Sequence, residues 1–144
     1  MNKIYELAKA GKIVKVDFTY IRHMGMWEIL GKWEGTKNSK NQVCASLQKK
    51  IEVLESMKFV PKIINNACFA CWANRVFKNN NYTGLSCDTC PLKWTDRDGN
   101  PSDSCHMIYF AWRQEAGEEK KRLAKMIRDM PLKDEAKLFY NIVE

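Results

Sequence analysis

Apolar residues recur along most of this chain at intervals of three and four, the spacing that gathers side chains on one face of an α-helix. Between Asn2 and Ala10, Ile4, Leu7 and Ala8 fall on one side, and Gly11 is placed to act as a C-cap. From Val14 to Tyr20 the period becomes two. Val14, Val16, Phe18 and Tyr20 alternate with Lys15, Asp17 and Thr19, which predicts a half-buried strand. No second clean alternation follows to pair with it, so this stretch can also be absorbed into a helix. Residues 21–31 predict a short helix with His23, Trp27 and Leu30 on one face, weakened at Gly25 by ~1 kcal/mol relative to alanine.

A polar loop then leads to Ser39 or Asn41, either of which can cap the clearest helix of the first half, residues 42–58. Val43, Leu47, Ile51, Leu54 and Met57 form its apolar stripe, and Cys44 beside them reads as a small buried hydrophobe. Pro61 ends that element. Residues 67–77 predict another helix, holding Cys71 with Arg75 on its polar side, and 79–84 a loop. The run from Asp96 to Asp103 has the look of a calcium loop. Its glycine, however, stands fourth rather than sixth and no glutamate closes it, so it predicts a turn leading to an N-cap at Ser102 or Asp103.

From Ser104 the helical spacing returns, with Ile108, Ala111 and Trp112 sharing a face with Cys105. Gly117 separates this helix from Glu118–Met130, which turns Leu123, Met126 and Ile127 inward and offers a Glu118–Arg122 pair worth ~0.3 kcal/mol. Pro131 breaks the pattern, and Asp134 starts a last helix through Ile142 that buries Leu138 and Phe139. No internal repeat interrupts this order.

The cysteines change the picture. Cys68-Phe69-Ala70-Cys71 and Cys87-Asp88-Thr89-Cys90 stand fifteen residues apart, a C-x2-C-x15-C-x2-C array. Two residues between thiols let a tight turn aim both sulfurs at one ion, and two such turns complete a tetrahedron with Zn–S distances of ~2.3 Å. The expected shell is Cys68, Cys71, Cys87 and Cys90. Cys105 is an alternative ligand that can replace Cys87, and His106 beside it is an outside candidate. Trp94 is expected to pack on the outside of the site and exclude water. The fold class implied is mainly α: a compact multi-helix domain around a treble-clef- or knuckle-like four-cysteine zinc site, with a possible short N-terminal strand. One domain of 144 residues is expected, with a basic N-terminal half (1–62), a zinc-binding module (63–116) and C-terminal helices (117–144).

Charge narrows the partner. The formal net charge is +7 and the pI about 9.1. Residues 1–62 hold twelve Lys and Arg against six Asp and Glu, whereas residues 63–144 hold twelve against eleven. The surplus precedes the cysteine array, and points to an acidic partner such as a ribonucleoprotein or nucleic acid. Lys12, Lys15, Lys49 and Lys50 are the candidate contact residues. No apolar run approaches the ~18 residues of a membrane span, so a soluble intracellular protein is expected.

Catalysis is poorly provided for. Four thiolates fill a zinc shell and leave no water to activate. The chain has two histidines, His23 and His106. His23 is expected to be hydrogen-bonded in the core. No His-x-Glu accompanies the cysteines, as zinc deaminases require. The expectation is a non-enzyme with structural zinc and no small-molecule substrate. A nucleic-acid-binding accessory protein is one alternative, and a zinc-supported nuclease another.

One resemblance spans most of residues 21–133. His23-x3-Trp27, Asn66-Ala67-Cys68-Phe69-Ala70-Cys71, Cys87-x2-Cys90-Pro91-Leu92-x-Trp94, Cys105 and the closing Lys125-Met126-Ile127-Arg128-Asp129-Met130-Pro131-Leu132-Lys133 together resemble small cysteine-rich zinc-binding proteins of bacteriophages and prophages. Residues 1–20 and the helix over 42–58 lie outside that pattern. Most of that family has no assigned activity. One group of such phage metalloproteins acts as anti-CRISPR inhibitors of type II Cas9. The resemblance thus implies stoichiometric binding to a Cas9-type effector or its ribonucleoprotein, in the cytoplasm of the bacterial host. A net charge of +7 argues against the DNA mimicry used by acidic inhibitors.

Overall fold

The computed structural model describes residues 3–36, 41–57, 73–74, 76–77, 81, 90–102 and 105–143. Its elements in chain order are α1 (Lys3–Lys9), β1 (Val16–Thr19), α2 (Tyr20–Leu30), α3 (Gln42–Ser56), α4 (His106–Gln114), α5 (Gly117–Arg128), α6 (Ala136–Phe139) and β2 (Tyr140–Val143). The protein is therefore mainly helical, with one short two-stranded sheet among the described residues.

Four helices form a ring. Helix α2 packs against α3 and α5, and α4 packs against the same two. The stripes read from the sequence meet inside it: His23, Met26, Trp27 and Leu30 from α2, Ile108 and Trp112 from α4, and Leu123, Ala124 and Ile127 from α5 are all buried. Across one diagonal, Trp27 and Trp112 meet edge to face with ring centroids 4.9 Å apart. Tyr109 adds a stacked contact to Trp112 and a perpendicular one to Trp27. These aromatic pairs strengthen the core beyond their area burial, by ~1 kcal/mol each. Helices from all three expected stretches of the chain share one contiguous core.

The strand at β1 finds its partner at the far end of the chain. Val16–Thr19 pairs in parallel with Tyr140–Val143, Val16 opposite Tyr140 and Thr19 opposite Val143. The expected helix from Asp134 to Ile142 therefore stops at Phe139 and gives way to a strand. Aromatic and β-branched side chains suit a pleated, half-buried surface, and Tyr140-Asn141-Ile142-Val143 has three of them. Phe18 is buried against Tyr140, with ring centroids 6.3 Å apart, while Phe77 packs on both Phe139 and Tyr140.

Turns behave as their residues dictate. Gly11 lies at φ +70° and its N–H reaches the Ala8 carbonyl at 3.1 Å, closing α1 as expected. The Asp96 carboxylate accepts the N–H groups of Asp98 and Asn100 at 2.9 Å each, so this stretch is an Asx-type turn. Helix α4 begins at His106, after Cys105, with no side-chain cap from Ser102. Arg122 pairs with Glu119 rather than with Glu118, which instead meets Lys121 at 3.4 Å.

Candidate metal centre

Of the expected ligands, Cys68, Cys71 and Cys87 lie outside the described residues, as do most of the helix predicted over 67–77, including Arg75, and the side chain of His106. Among the described residues no group of three or more metal-binding side chains is gathered. Cys90 and Cys105 are described, and both are buried in the main core.

The surroundings of Cys90 are built by the residues that follow it. Pro91 cannot donate, and its carbonyl accepts the Lys133 N–H at 2.9 Å, while the Lys93 N–H reaches the Pro131 carbonyl at 2.8 Å. Leu92 and Leu132 form an antiparallel bridge between these bonds. The segment after the cysteine is thereby clamped to the segment leaving α5. Further along, the Ser102 N–H bonds the Trp94 carbonyl at 3.0 Å. Trp94 is thus held facing inward, and its indole Nε1–H donates to Cys90 Sγ at 3.2 Å.

That hydrogen bond is the test of fit. A thiolate accepts an N–H more strongly than a neutral thiol, and such bonds orient and stabilise metal-held sulfur. A buried sulfur already receiving a fixed donor matches one corner of a tetrathiolate zinc site. When bound, zinc supplies cross-linking between distant segments. The chain's own part is to exclude water at Cys90, through Trp94 and Leu92, both nearly or fully buried.

The cationic candidates divide. Lys12 and Lys15 are exposed, before β1, and Lys49 is half-buried on α3 with its ammonium 6.0 Å from the Trp33 ring centre. Lys50, expected on the contact surface, is fully buried and donates to the Tyr109 hydroxyl at 2.6 Å. It therefore belongs to the core and is removed from the contact surface. Cys44, expected to be buried, is exposed. Both corrections have one cause. Helix α3 turns Gln42, Ser46, Lys50, Val53 and Leu54 inward, leaving Val43, Leu47 and Ile51 only half-covered.

This polar face caps its neighbours. The second diagonal of the ring runs from Ser46 on α3 to Lys120 on α5, whose ammonium donates to Ser46 Oγ at 2.6 Å. Lys120 also donates to the Trp112 carbonyl at 2.6 Å, and the Ser46 hydroxyl lies 3.0 Å from the Arg113 carbonyl. These are carbonyls of the last turn of α4, which lack intrahelical donors and attract a cation. The indoles of Trp112 and Trp33 flank the ammonium at 4.3 and 5.0 Å. Gly35 permits this closure. It sits at φ +87°, and a Cβ there would lie 2.6 Å from Gln42 Oε1 and 3.0 Å from Lys120 Cδ. The end of α5 is treated likewise: His23 Nε2–H donates to the Ile127 carbonyl at 2.9 Å, and the Tyr20 hydroxyl to that of Met130 at 2.8 Å. His23 is thus a core histidine, as its pattern implied.

Burial lowers the Lys120 pKa to about 8, with Glu115 opposing the shift. An unfolded lysine titrates near 10.4, so between those values the unfolded chain holds more protons and stability rises with pH. Below pH 8 the full desolvation cost is present and this contribution is flat. Denaturant melts at pH 7.5 and 10 should show a gain of about 2 kcal/mol that Lys120→Met lacks. An identical gain in the variant would assign the effect elsewhere.

Among the described residues no helix is long and apolar enough to cross a membrane. No family model, no curated protein and no solved structure matches this chain.

Proposed function

We propose that the chain is a non-catalytic zinc protein that acts by binding a macromolecular partner, and that this partner is a Cas9-type effector or its ribonucleoprotein in a bacterial cytoplasm. The observation supporting it is the Trp94-to-Cys90 hydrogen bond inside the same core as Trp27 and Trp112. A sulfur so placed stiffens the body and does not face a substrate. Zinc held by Cys68, Cys71, Cys87 and Cys90, or with Cys105 in place of Cys87, then acts as a staple. The identity of the partner rests on the resemblance to phage zinc proteins, and the basic surface, with Lys12 and Lys15 exposed, suits an acidic one.

The test is co-elution of the purified protein with a Cas9–guide ribonucleoprotein, paired with a target-cleavage assay. The expected result is a complex of fixed stoichiometry and loss of cleavage. Absence of a complex, together with binding to bare DNA whose affinity falls steeply with salt, would replace this reading with the nucleic-acid one.

A further inference from the structure

Cys90 and Trp94 stand four residues apart in a segment that is not helical, so helical periodicity does not bring them together. Two backbone clamps do. The first joins residues 91–93 to 131–133, through the Pro91 carbonyl to Lys133 and the Lys93 N–H to Pro131. The second folds 94–102 back on itself. There the Trp94 carbonyl accepts the Ser102 N–H at 3.0 Å, the Asp96 N–H reaches the Asn100 carbonyl at 2.8 Å, and Thr95 bridges Pro101. Neither clamp involves a sulfur. Together they set where the indole lies, and its Nε1–H ends 3.2 Å from Cys90 Sγ. Trp94 and Cys90 are each 3% exposed, so water does not compete for either group.

Filling space does not by itself carry an indole N–H onto an acceptor in this core. The indoles of Trp27 and Trp112 are buried in it with no hydrogen-bond partner at all. The acceptor at Trp94 therefore calls for its own reason. An indole N–H can only donate, and a neutral thiol accepts weakly. A thiolate accepts strongly, because charge on the acceptor roughly doubles the strength of such a bond. Metal-held cysteines are thiolates. The donor thus suits a sulfur in its metal-held state, and there it draws off part of the charge and fixes the direction of the sulfur.

We propose that Trp94 is a positioning residue of the metal centre: its indole N–H orients the Cys90 sulfur, takes up part of its charge and so slows loss of the metal. This rests on the zinc reading above. A tryptophan that only filled space would affect packing and leave the electronic state of the sulfur unchanged, and that difference makes the two roles separable.

The experiment uses the full chain loaded in turn with zinc, cobalt(II) and a spin-active cadmium isotope. Wild type is compared with Trp94→Phe, which keeps an aromatic ring and loses the N–H. Leu92→Ala is the control, since it removes a fully buried side chain from the same segment and keeps the N–H. Transfer of zinc to a chelator should be about tenfold faster or more in Trp94→Phe, the usual scale for removing an outer partner of a metal ligand. In the cobalt protein the sulfur-to-metal charge-transfer bands should move to longer wavelength in Trp94→Phe and stay in place in Leu92→Ala. Nuclear magnetic resonance of the cadmium-loaded wild type should show coupling between the metal and one indole proton, a measurement that needs no variant to fold. Unmoved bands in a folded Trp94→Phe protein overturn the role of Trp94 and leave the zinc reading intact. So does the absence of coupling to any of the five tryptophans in the loaded wild type. A wild type that retains none of the three metals overturns both.

Discussion

Cys90→Ser should abolish zinc retention and, with it, cooperative folding. Structural zinc in small tetrathiolate sites contributes an apparent ~10–16 kcal/mol at neutral pH, comparable with or larger than the ~5–15 kcal/mol by which a whole domain is stable. Serine keeps the shape of the site closely but replaces a sulfur anion with a hydroxyl that does not ionise at neutral pH. The serine hydroxyl still offers an acceptor to the Trp94 indole, which now reaches Cys90 Sγ at 3.2 Å, so the loss falls on the metal bond rather than on this hydrogen bond. Cys44→Ser is the matched control: its side chain is exposed, and surface changes of this kind stay within ~0.5 kcal/mol. Melting curves and zinc content measured together check the prediction. A Cys90→Ser protein that holds one equivalent of zinc and melts like wild type would remove Cys90 from the site.

Trp112→Ala should cost ~3–5 kcal/mol, the range for deleting a fully buried large aromatic side chain. Three losses combine there. The edge-to-face contact with Trp27 disappears, and so does the stacked contact with Tyr109. The Lys120 ammonium, now 4.3 Å from the indole centre, loses one of its two aromatic faces while remaining buried. A desolvated cation–π contact alone is worth ~2 kcal/mol. Urea denaturation should show the midpoint falling with little change in slope, since the unfolded chain exposes nearly the same surface. A shift of under ~1 kcal/mol would mean that α4 and α2 are not joined through this pair.

Much of the architecture was legible where helical spacing and burial coincide. On α2, α4 and α5 the apolar stripes His23–Trp27–Leu30, Ile108–Trp112 and Leu123–Ile127 are the faces that meet. Helix α3 was legible in extent and misleading in orientation. A lysine reads as solvent-facing because burying its charge is costly, and only a specific acceptor reverses that. For Lys50 an acceptor is the Tyr109 hydroxyl, fifty-nine residues away, and for Lys120 they are the Trp112 carbonyl across the turn before α5 and Ser46, seventy-four residues away. No local pattern encodes such a pairing. Strand β2 failed to announce itself for a related reason. Four residues after a helical turn are too few for a periodicity, and their partner β1 stands at the other end of the chain.

The candidate metal centre rests on spacing, with the described structure adding the surroundings of Cys90 and the burial of Cys105. The repeated pair of cysteines two residues apart proposes the ligands, of which Cys90 alone lies among the described residues, and Cys-Pro-Leu-Lys-Trp marks the segment that packs around it. What spacing could not supply was the direction of the Trp94 N–H, which depends on the clamp between Leu92 and Leu132.

The central claim is that this is a body held rigid by zinc with a fully occupied sulfur shell. Elemental analysis and zinc X-ray absorption on protein purified in reducing buffer test it most directly. One zinc per chain with four sulfur neighbours at ~2.3 Å is the predicted result. A folded, metal-free protein, or a zinc with an exchangeable water in its shell, would contradict it.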